Sequence, residues 1–266
     1  MPFTPAHPAA VLLVRRYLNL PALVAGSVAP DVPYYLPVPG GPETHSVSGL
    51  LGWDLLFSAA LLMVFRLLAG PMVALVPVGW RNRMPLPSWG FRSPTVASAP
   101  ADGRRGMPVP SGGFRSVRVV VMLAVSVVAG AATHLAWDSC TQTDGAAVRA
   151  WEWLRVSVVE PHKLYNVLGY LSSIGGLVAL GAAIALWYRR TPPVVDTAPG
   201  LPRSLRWAIL GSLAVAGALG IAIALTDPVA GVSGYDFVRR ALIGAIRGSA
   251  VGLAFYGLLW HIAELR

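Results

Sequence analysis

His134 and Asp138 stand four residues apart in Thr133-His134-Leu135-Ala136-Trp137-Asp138-Ser139, at the end of an apolar run that begins near Val117. On a helix, residues four apart share a face with Cβ atoms roughly 6 Å apart. An imidazole and a carboxylate so placed can hold one metal ion or one proton between them; the plainer alternative is an ion pair at the helix end. Ionisable groups at the edge of a bilayer are costly and usually mark a function. Three further residues can join the pair. His7 sits in Thr4-Pro5-Ala6-His7-Pro8, Asp31 in Ala29-Pro30-Asp31-Val32-Pro33, and His45 in Glu43-Thr44-His45-Ser46. The prolines around Asp31 favour a turn over a helix there.

These residues need elements to bring them together. Two short apolar pieces, 9–17 and 20–29, are divided by Asn19 and Pro21. Each is too short to span a bilayer, so together they read as a helical hairpin. The residue before a hairpin's first helix returns to the residue after its second, so His7 and Asp31 should be neighbours, and both can approach His45. His7, Asp31, His45, His134 and Asp138 then form one constellation. Three imidazoles with two carboxylates suit Zn²⁺, with Mn²⁺ or Fe²⁺ as alternatives. One or two ions fit, since a shared carboxylate could bridge two metals roughly 3.5–4 Å apart. Taken singly, each residue has a plainer role: a terminal residue, a turn staple, a helix-cap neighbour.

The rest of the composition is that of a membrane protein. The 266 residues are 55% hydrophobic and only 12% charged, where soluble domains carry about 25% charged residues. Five segments reach the spanning length of about 20 apolar residues: 47–69, 117–137, 164–188, 205–225 and 237–261. The expected fold is an all-α integral membrane bundle of five transmembrane helices plus the N-terminal hairpin, a single domain over 1–266. Met1-Pro2-Phe3-Thr4-Pro5 lacks a basic leader region, so no cleavable signal peptide is expected. The lone Cys140 excludes an intramolecular disulfide framework.

Segment 80–116 reads as a basic loop rich in Pro, Gly and Ser, and it carries an internal duplication: 84–93, starting Met84-Pro85-Leu86-Pro87-Ser88, recurs as 107–116, starting Met107-Pro108-Val109-Pro110-Ser111. The net charge of +9 is almost all arginine, Lys163 being the only lysine. The arginines gather in loops 80–118 and 189–206 rather than on one face, the pattern of topology signals and not of nucleic-acid binding. With five alternating helices both loops fall on one side, which the positive-inside rule makes cytoplasmic. His45, His134, Asp138 and the 139–163 connection then cluster at the outer end.

Two charged residues inside apolar segments complete the candidate site. Arg247 lies about ten residues into the last segment, roughly 15 Å along a helix, where an unpaired charge costs at least about 2.5 kcal/mol. It is expected to face a cavity below the His/Asp cluster and hold an anionic group, the plainer alternatives being snorkelling or an ion pair with Asp54 or Asp236. Asp54, nine residues after His45 and two to three turns into the first expected span, is either a carboxylate that orients a ligand histidine or the partner of that arginine. Arg247 and Asp54 are the catalytic candidates. His162, with Glu160, is a weaker one in the outer connection.

His7, Ala29-Pro30-Asp31, Thr44-His45-Ser46 and His134-x-x-x-Asp138, followed by Leu164-Tyr165-Asn166 and Ser172-Ser173-x-Gly175-Gly176, resemble the motifs of the membrane-bound metal-dependent hydrolase family of bacterial inner-membrane proteins, over roughly the first 180 residues. The chain looks closest to an uncharacterised branch catalogued as a domain of unknown function. The resemblance implies a helical core related to zinc-dependent phospholipase C and P1-type nucleases, and a location in the bacterial inner membrane. The leading functional reading is an integral-membrane metal-dependent enzyme that activates water against an ester or phosphoester, on a small-molecule or lipid-like substrate within the bilayer. One alternative implied by the resemblance is a non-hydrolytic metal enzyme of specialised metabolism that forms nitrogen–nitrogen bonds. The other is a non-enzymatic transporter or assembly factor, against which stands the lack of an inverted repeat.

Overall fold

A computed structural model of the chain describes residues 3–84, 113–193 and 200–264. Eleven α-helices lie within the described residues: α1 (Pro8–Val11), α2 (Leu20–Val28), α3 (Val32–Tyr35), α4 (Gly41–Thr44), α5 (Trp53–Leu75), α6 (Val78–Arg81), α7 (Gly113–Thr141), α8 (Ala146–Ala150), α9 (Leu164–Arg190), α10 (Arg203–Ala224) and α11 (Gly234–Glu264). An antiparallel pair, β1 (Ser157–Val159) and β2 (His162–Lys163), precedes α9. Five helices, α5, α7, α9, α10 and α11, are long and apolar enough to cross a membrane. The all-α multi-span expectation therefore holds. Helices suit this setting because every interior backbone N–H and C=O is satisfied within the segment.

The N-terminal hairpin is shorter than expected in its first arm. α1 covers only one turn, and Asn19 is the N-cap of α2, its Oδ1 accepting the Ala22 N–H at 3.0 Å while its own N–H reaches Ser126 Oγ on α7. α2 lies against α7 with almost no side chain between them. A Cβ on Gly26 would fall 2.1 Å from the Val127 carbonyl, and one on Gly130 would fall 2.2 Å from the Leu23 carbonyl. Only glycine permits this approach.

The first span begins six residues later than the apolar run suggested. Val47, Leu50 and Leu51 are apolar, but residues 46–52 are tied in tight turns by Ser46, whose Oγ accepts the Gly49 N–H, and by a 3₁₀ turn at Gly49–Leu51. α5 then continues through Pro71. A proline cannot donate to the carbonyl four residues back, and His261 Nε2 sits 2.9 Å from that orphaned Leu67 oxygen. One turn along, the Tyr256 hydroxyl donates to the Pro71 carbonyl at 2.9 Å.

α10 and α11 form a tight antiparallel pair. A Cβ on Gly220 would meet the Gly244 carbonyl at 2.1 Å, and one on Gly248 would meet that of Ala216 at 2.1 Å, the small-residue packing that substitutes for a hydrophobic drive between membrane helices. Of the loop expected at 80–116, residues 80–81 belong to α6 and 113–116 to α7; most of the duplicated segment lies outside the described residues.

Candidate metal centre

The α2–α7 contact sets the site. Closing Leu23 and Gly26 onto Gly130 and Val127 brings the Ser27 carbonyl to His134, whose Nδ1–H donates to it at 2.8 Å. That bond keeps a proton on Nδ1 and turns Nε2 toward the carboxylates. α2 then ends in a 3₁₀ turn, Ala29–Asp31, which aims Asp31 at the same point. The turn expected around Asp31 is present.

His45 follows α4. The Thr44 hydroxyl donates to the Pro30 and Gly41 carbonyls at 2.8 and 2.9 Å. With its one proton so used, Thr44 Oγ1 accepts from His45 Nδ1–H at 3.1 Å. His45 thereby keeps a proton on Nδ1 as His134 does, again with Nε2 turned toward the carboxylates.

Four donor atoms meet: Asp31, His45, His134 and Asp138 each place one within 4.8 Å of the others. His45 Nε2 is 3.4 Å from Asp31 Oδ1 and 3.6 Å from Asp138 Oδ2; His134 Nε2 is 3.5 Å from Asp31 Oδ1 and 3.1 Å from Asp138 Oδ2. Donors bound at about 2.1 Å to one tetrahedral ion stand roughly 3.4 Å apart. Asp31 Oδ1, His45 Nε2 and His134 Nε2 are buried and make no hydrogen bond with any described residue. Buried polar atoms are seldom left unpaired, and these three point at one another. An ion shared by all four residues accounts for both facts.

The outer layer engages the remaining atoms. Thr4 Oγ1 donates to Asp31 Oδ2 at 2.5 Å and accepts from the Tyr35 hydroxyl at 2.7 Å. Gln142, one turn after Asp138, donates to Asp138 Oδ2. Burial raises the Asp31 pKa, but the adjacent His134 and His45 imidazoles and the Thr4 hydroxyl outweigh it and hold the carboxyl well below the usual carboxylate range. Asp31 is therefore ionised, the state a metal ligand requires. Tyr34, its ring centroid 5.6 Å from that of His45, is pushed up to about 12 by burial and by the charges of Asp31 and Asp138.

The five residues expected in one coordination sphere divide into four and one. His7 is fully buried, but it lies behind Asp138, with Nε2 3.2 Å from Oδ1. Its ring stacks on His134, centroids 3.9 Å apart, and leans on Trp137. Asp54 is completely buried in the first turn of α5, not two to three turns in, because that helix starts at Trp53. Neither of its oxygens, nor Ser58 Oγ one turn on, has a hydrogen-bond partner among the described residues. It lies close enough to interact electrostatically with His134 and His45. Among the described residues Arg247 pairs with no carboxylate: its Nε and NH2 donate to the Tyr35 and Tyr34 carbonyls at 2.6 and 3.3 Å.

The serines noted near residue 172 belong to this scaffold. Ser172 accepts the Trp137 indole N–H at 2.9 Å and Ser173 accepts the Phe3 N–H at 3.0 Å, which ties α9 to both the His134 helix and the strand of chain carrying Thr4. Sequence reasoning overlooked Thr4, Thr44 and Gln142. The spacing Asp138-x-x-x-Gln142 was a usable signal for the last. The Ser27 contact has none, because it is made by a backbone carbonyl.

Among models of protein families, one described as a domain of unknown function (DUF4184) matches residues 1–258, well beyond the first 180 residues where the short motifs lie. No curated protein and no solved structure matches the chain.

Proposed function

The chain belongs to this DUF4184 family, a description that names no activity, and we propose that it is a membrane-embedded, metal-dependent enzyme of hydrolase-like chemistry, acting on an ester or phosphoester of a small or lipid-like molecule. The observation that carries this is the set of four N···O separations, 3.1 to 3.6 Å, among four atoms of which three, Asp31 Oδ1, His45 Nε2 and His134 Nε2, make no hydrogen bond with any described residue.

Asp31, His45, His134 and Asp138 would hold the ion. Two imidazoles and two carboxylates suit Zn²⁺, Mn²⁺ or Fe²⁺. When bound, the ion supplies Lewis-acid polarisation of the ester or phosphoester. The chain does the rest. Ser27 and Thr44 keep both imidazoles presenting Nε2, Thr4 and Gln142 steady the carboxylates, and burial keeps bulk water away. Asp54, buried beside the two imidazoles with both oxygens unengaged, is placed to hold a proton during the reaction. Arg247 holds the Tyr34–Tyr35 segment that follows Asp31.

The test is elemental analysis of the purified protein. Wild type should carry roughly one equivalent of a transition metal, and His134→Ala below about a tenth. Wild type below that level would put the non-enzymatic reading ahead. We further place the protein in the bacterial inner membrane with the two basic loops cytoplasmic, which opens the metal centre to the outer face.

A further inference from the structure

Between the two arms of the N-terminal hairpin, residues 12–18 run through tight turns, the Val14 N–H reaching the Val11 carbonyl at 3.1 Å and the Tyr17 N–H the Val14 carbonyl at 3.0 Å. Asn19 follows, pinned by its N–H to Ser126 of α7 at 3.0 Å. Ser126 lies eight residues after Arg118 and eight before His134, about 12 Å along the helix from each. The hairpin tip therefore stands midway between the basic end of α7 and the candidate metal centre. At this level and below it α7 exposes Val119, Val120, Val121 and Val125, the surface a helix turns to hydrocarbon.

The tip does not carry hydrocarbon-facing residues. Arg15, Arg16 and Tyr17 are all exposed, and so is Leu13. Neither guanidinium makes a hydrogen bond or ion pair with any described residue; Arg16 lies over the Tyr17 ring, 4.5 Å from its centroid. Basic side chains beside a tyrosine are the equipment of a membrane–water interface, here set about 12 Å above the basic end of the neighbouring helix. Charges at such depth are costly unless an anion or water reaches them. A second copy of the chain has no anion to offer there. Among the described residues the five spans hold carboxylates at or near their ends and at Asp54, which is completely buried.

We propose that the hairpin tip seats the phosphate of an anionic phospholipid, gripped by Arg15 and Arg16, and that the bilayer thins beside it. A guanidinium meets a phosphate with two parallel N–H···O bonds, and two guanidiniums favour a lipid with net negative charge. An arginine side chain that snorkels covers part of the distance to the basic end; the headgroup and its water cover the rest by sinking inward. The lipid comes from the leaflet at the basic end of the bundle. The site depends neither on the bound ion nor on the reaction, because the contact that sets its depth, Asn19 to Ser126, is remote from the four donor residues.

The experiment is native mass spectrometry of the full-length protein, released from detergent and titrated with phosphatidylglycerol or phosphatidylcholine. Wild type should hold phosphatidylglycerol saturably and at least about tenfold more tightly than phosphatidylcholine, and the double variant Arg15→Gln/Arg16→Gln should bind phosphatidylglycerol at least about tenfold more weakly. Arg149→Gln/Arg155→Gln, which removes two charges from the connection at the other end, should match wild type. No preference for phosphatidylglycerol, or equal binding by Arg15→Gln/Arg16→Gln, overturns the proposal, as does a wild-type dimer that this variant loses. If the glutamine variant does not fold, Arg15→Lys/Arg16→Lys carries the test: it keeps the charge and loses the fork, so affinity should fall at least about threefold, and unchanged affinity overturns the grip. Thinning has its own measurement. A cysteine introduced as Leu13→Cys in a Cys140→Ser background should react with a charged methanethiosulfonate in liposomes, since a thiol needs water to ionise. Val215→Cys, in the middle of α10 and exposed, should stay unreactive. Equal rates at the two positions overturn the thinning.

Discussion

An imidazole binds a cation only through a nitrogen that carries no proton, so the partners of the other nitrogen decide what a histidine can do. His134 and His45 both have Nδ1 engaged as a donor, to Ser27 and Thr44. His7 is different: its Nε2 is committed to Asp138 Oδ1 and its Nδ1 is buried without a partner. His7→Phe, which keeps the stacked ring and removes the bond, should leave metal stoichiometry at wild-type level and weaken affinity about 10–100-fold, as loss of an orienting partner does. Loss of the ion altogether in a chelator competition would make His7 a ligand. Asp31, His45, His134 and Asp138 were legible from residue type and from the hairpin that returns residue 31 towards residue 7. The division between His7 and the other four was not, because it depends on which nitrogen faces which oxygen, and no spacing rule carries that.

Elements place these residues through contacts too close for a side chain. Gly130→Val would put carbon where the Leu23 carbonyl lies, 2.2 Å from the Cβ position. α2 must then move off α7 and carry the Ser27 carbonyl away from His134. Such overpacking costs typically about 1–3 kcal/mol, and metal content should fall while the protein still inserts. Gly181→Val, where a Cβ meets nothing within 4 Å, should keep its metal; equal loss in both variants would remove the crossing as the cause. The Pro71 break offers a second measurement. His261→Leu should lower stability by about 1 kcal/mol, the net worth of the hydrogen bond to the Leu67 carbonyl. Pro71→Ala should erase most of that loss by restoring the helix's own N–H donor to Leu67, and unfolding in the double variant settles it: additive losses would sink the account. The five spans were legible because each is a long apolar run. The start of α5 was misplaced because apolar Val47, Leu50 and Leu51 sit in turns held by Ser46. α4, α6, α8 and the β1–β2 pair are too short to leave a periodicity.

At the scale of the whole molecule, alternating spans put the ends of α7 and α10 and the starts of α5, α9 and α11 on one side, and the candidate metal centre with them. If the basic loops are cytoplasmic, a cysteine at 232, introduced as Val232→Cys in a Cys140→Ser background, should react with an impermeant thiol reagent on cells whose outer barrier is opened. One introduced as Ser98→Cys should react only in inverted vesicles. The opposite pattern would reverse the orientation and leave the site's chemistry untouched.

All four residues proposed to hold the ion lie at or before Asp138. A chain is made from its N-terminus, at about 5–20 residues per second, so the donors are complete once two spans have emerged. Ser172 and Ser173 arrive with the third span, and Arg247 reaches the Tyr34–Tyr35 carbonyls only with the fifth. The ion's route therefore need not cross the finished bundle. A ribosome stalled after α7 already presents a complete binding set, and the last helices dock on a centre that can be loaded before they exist.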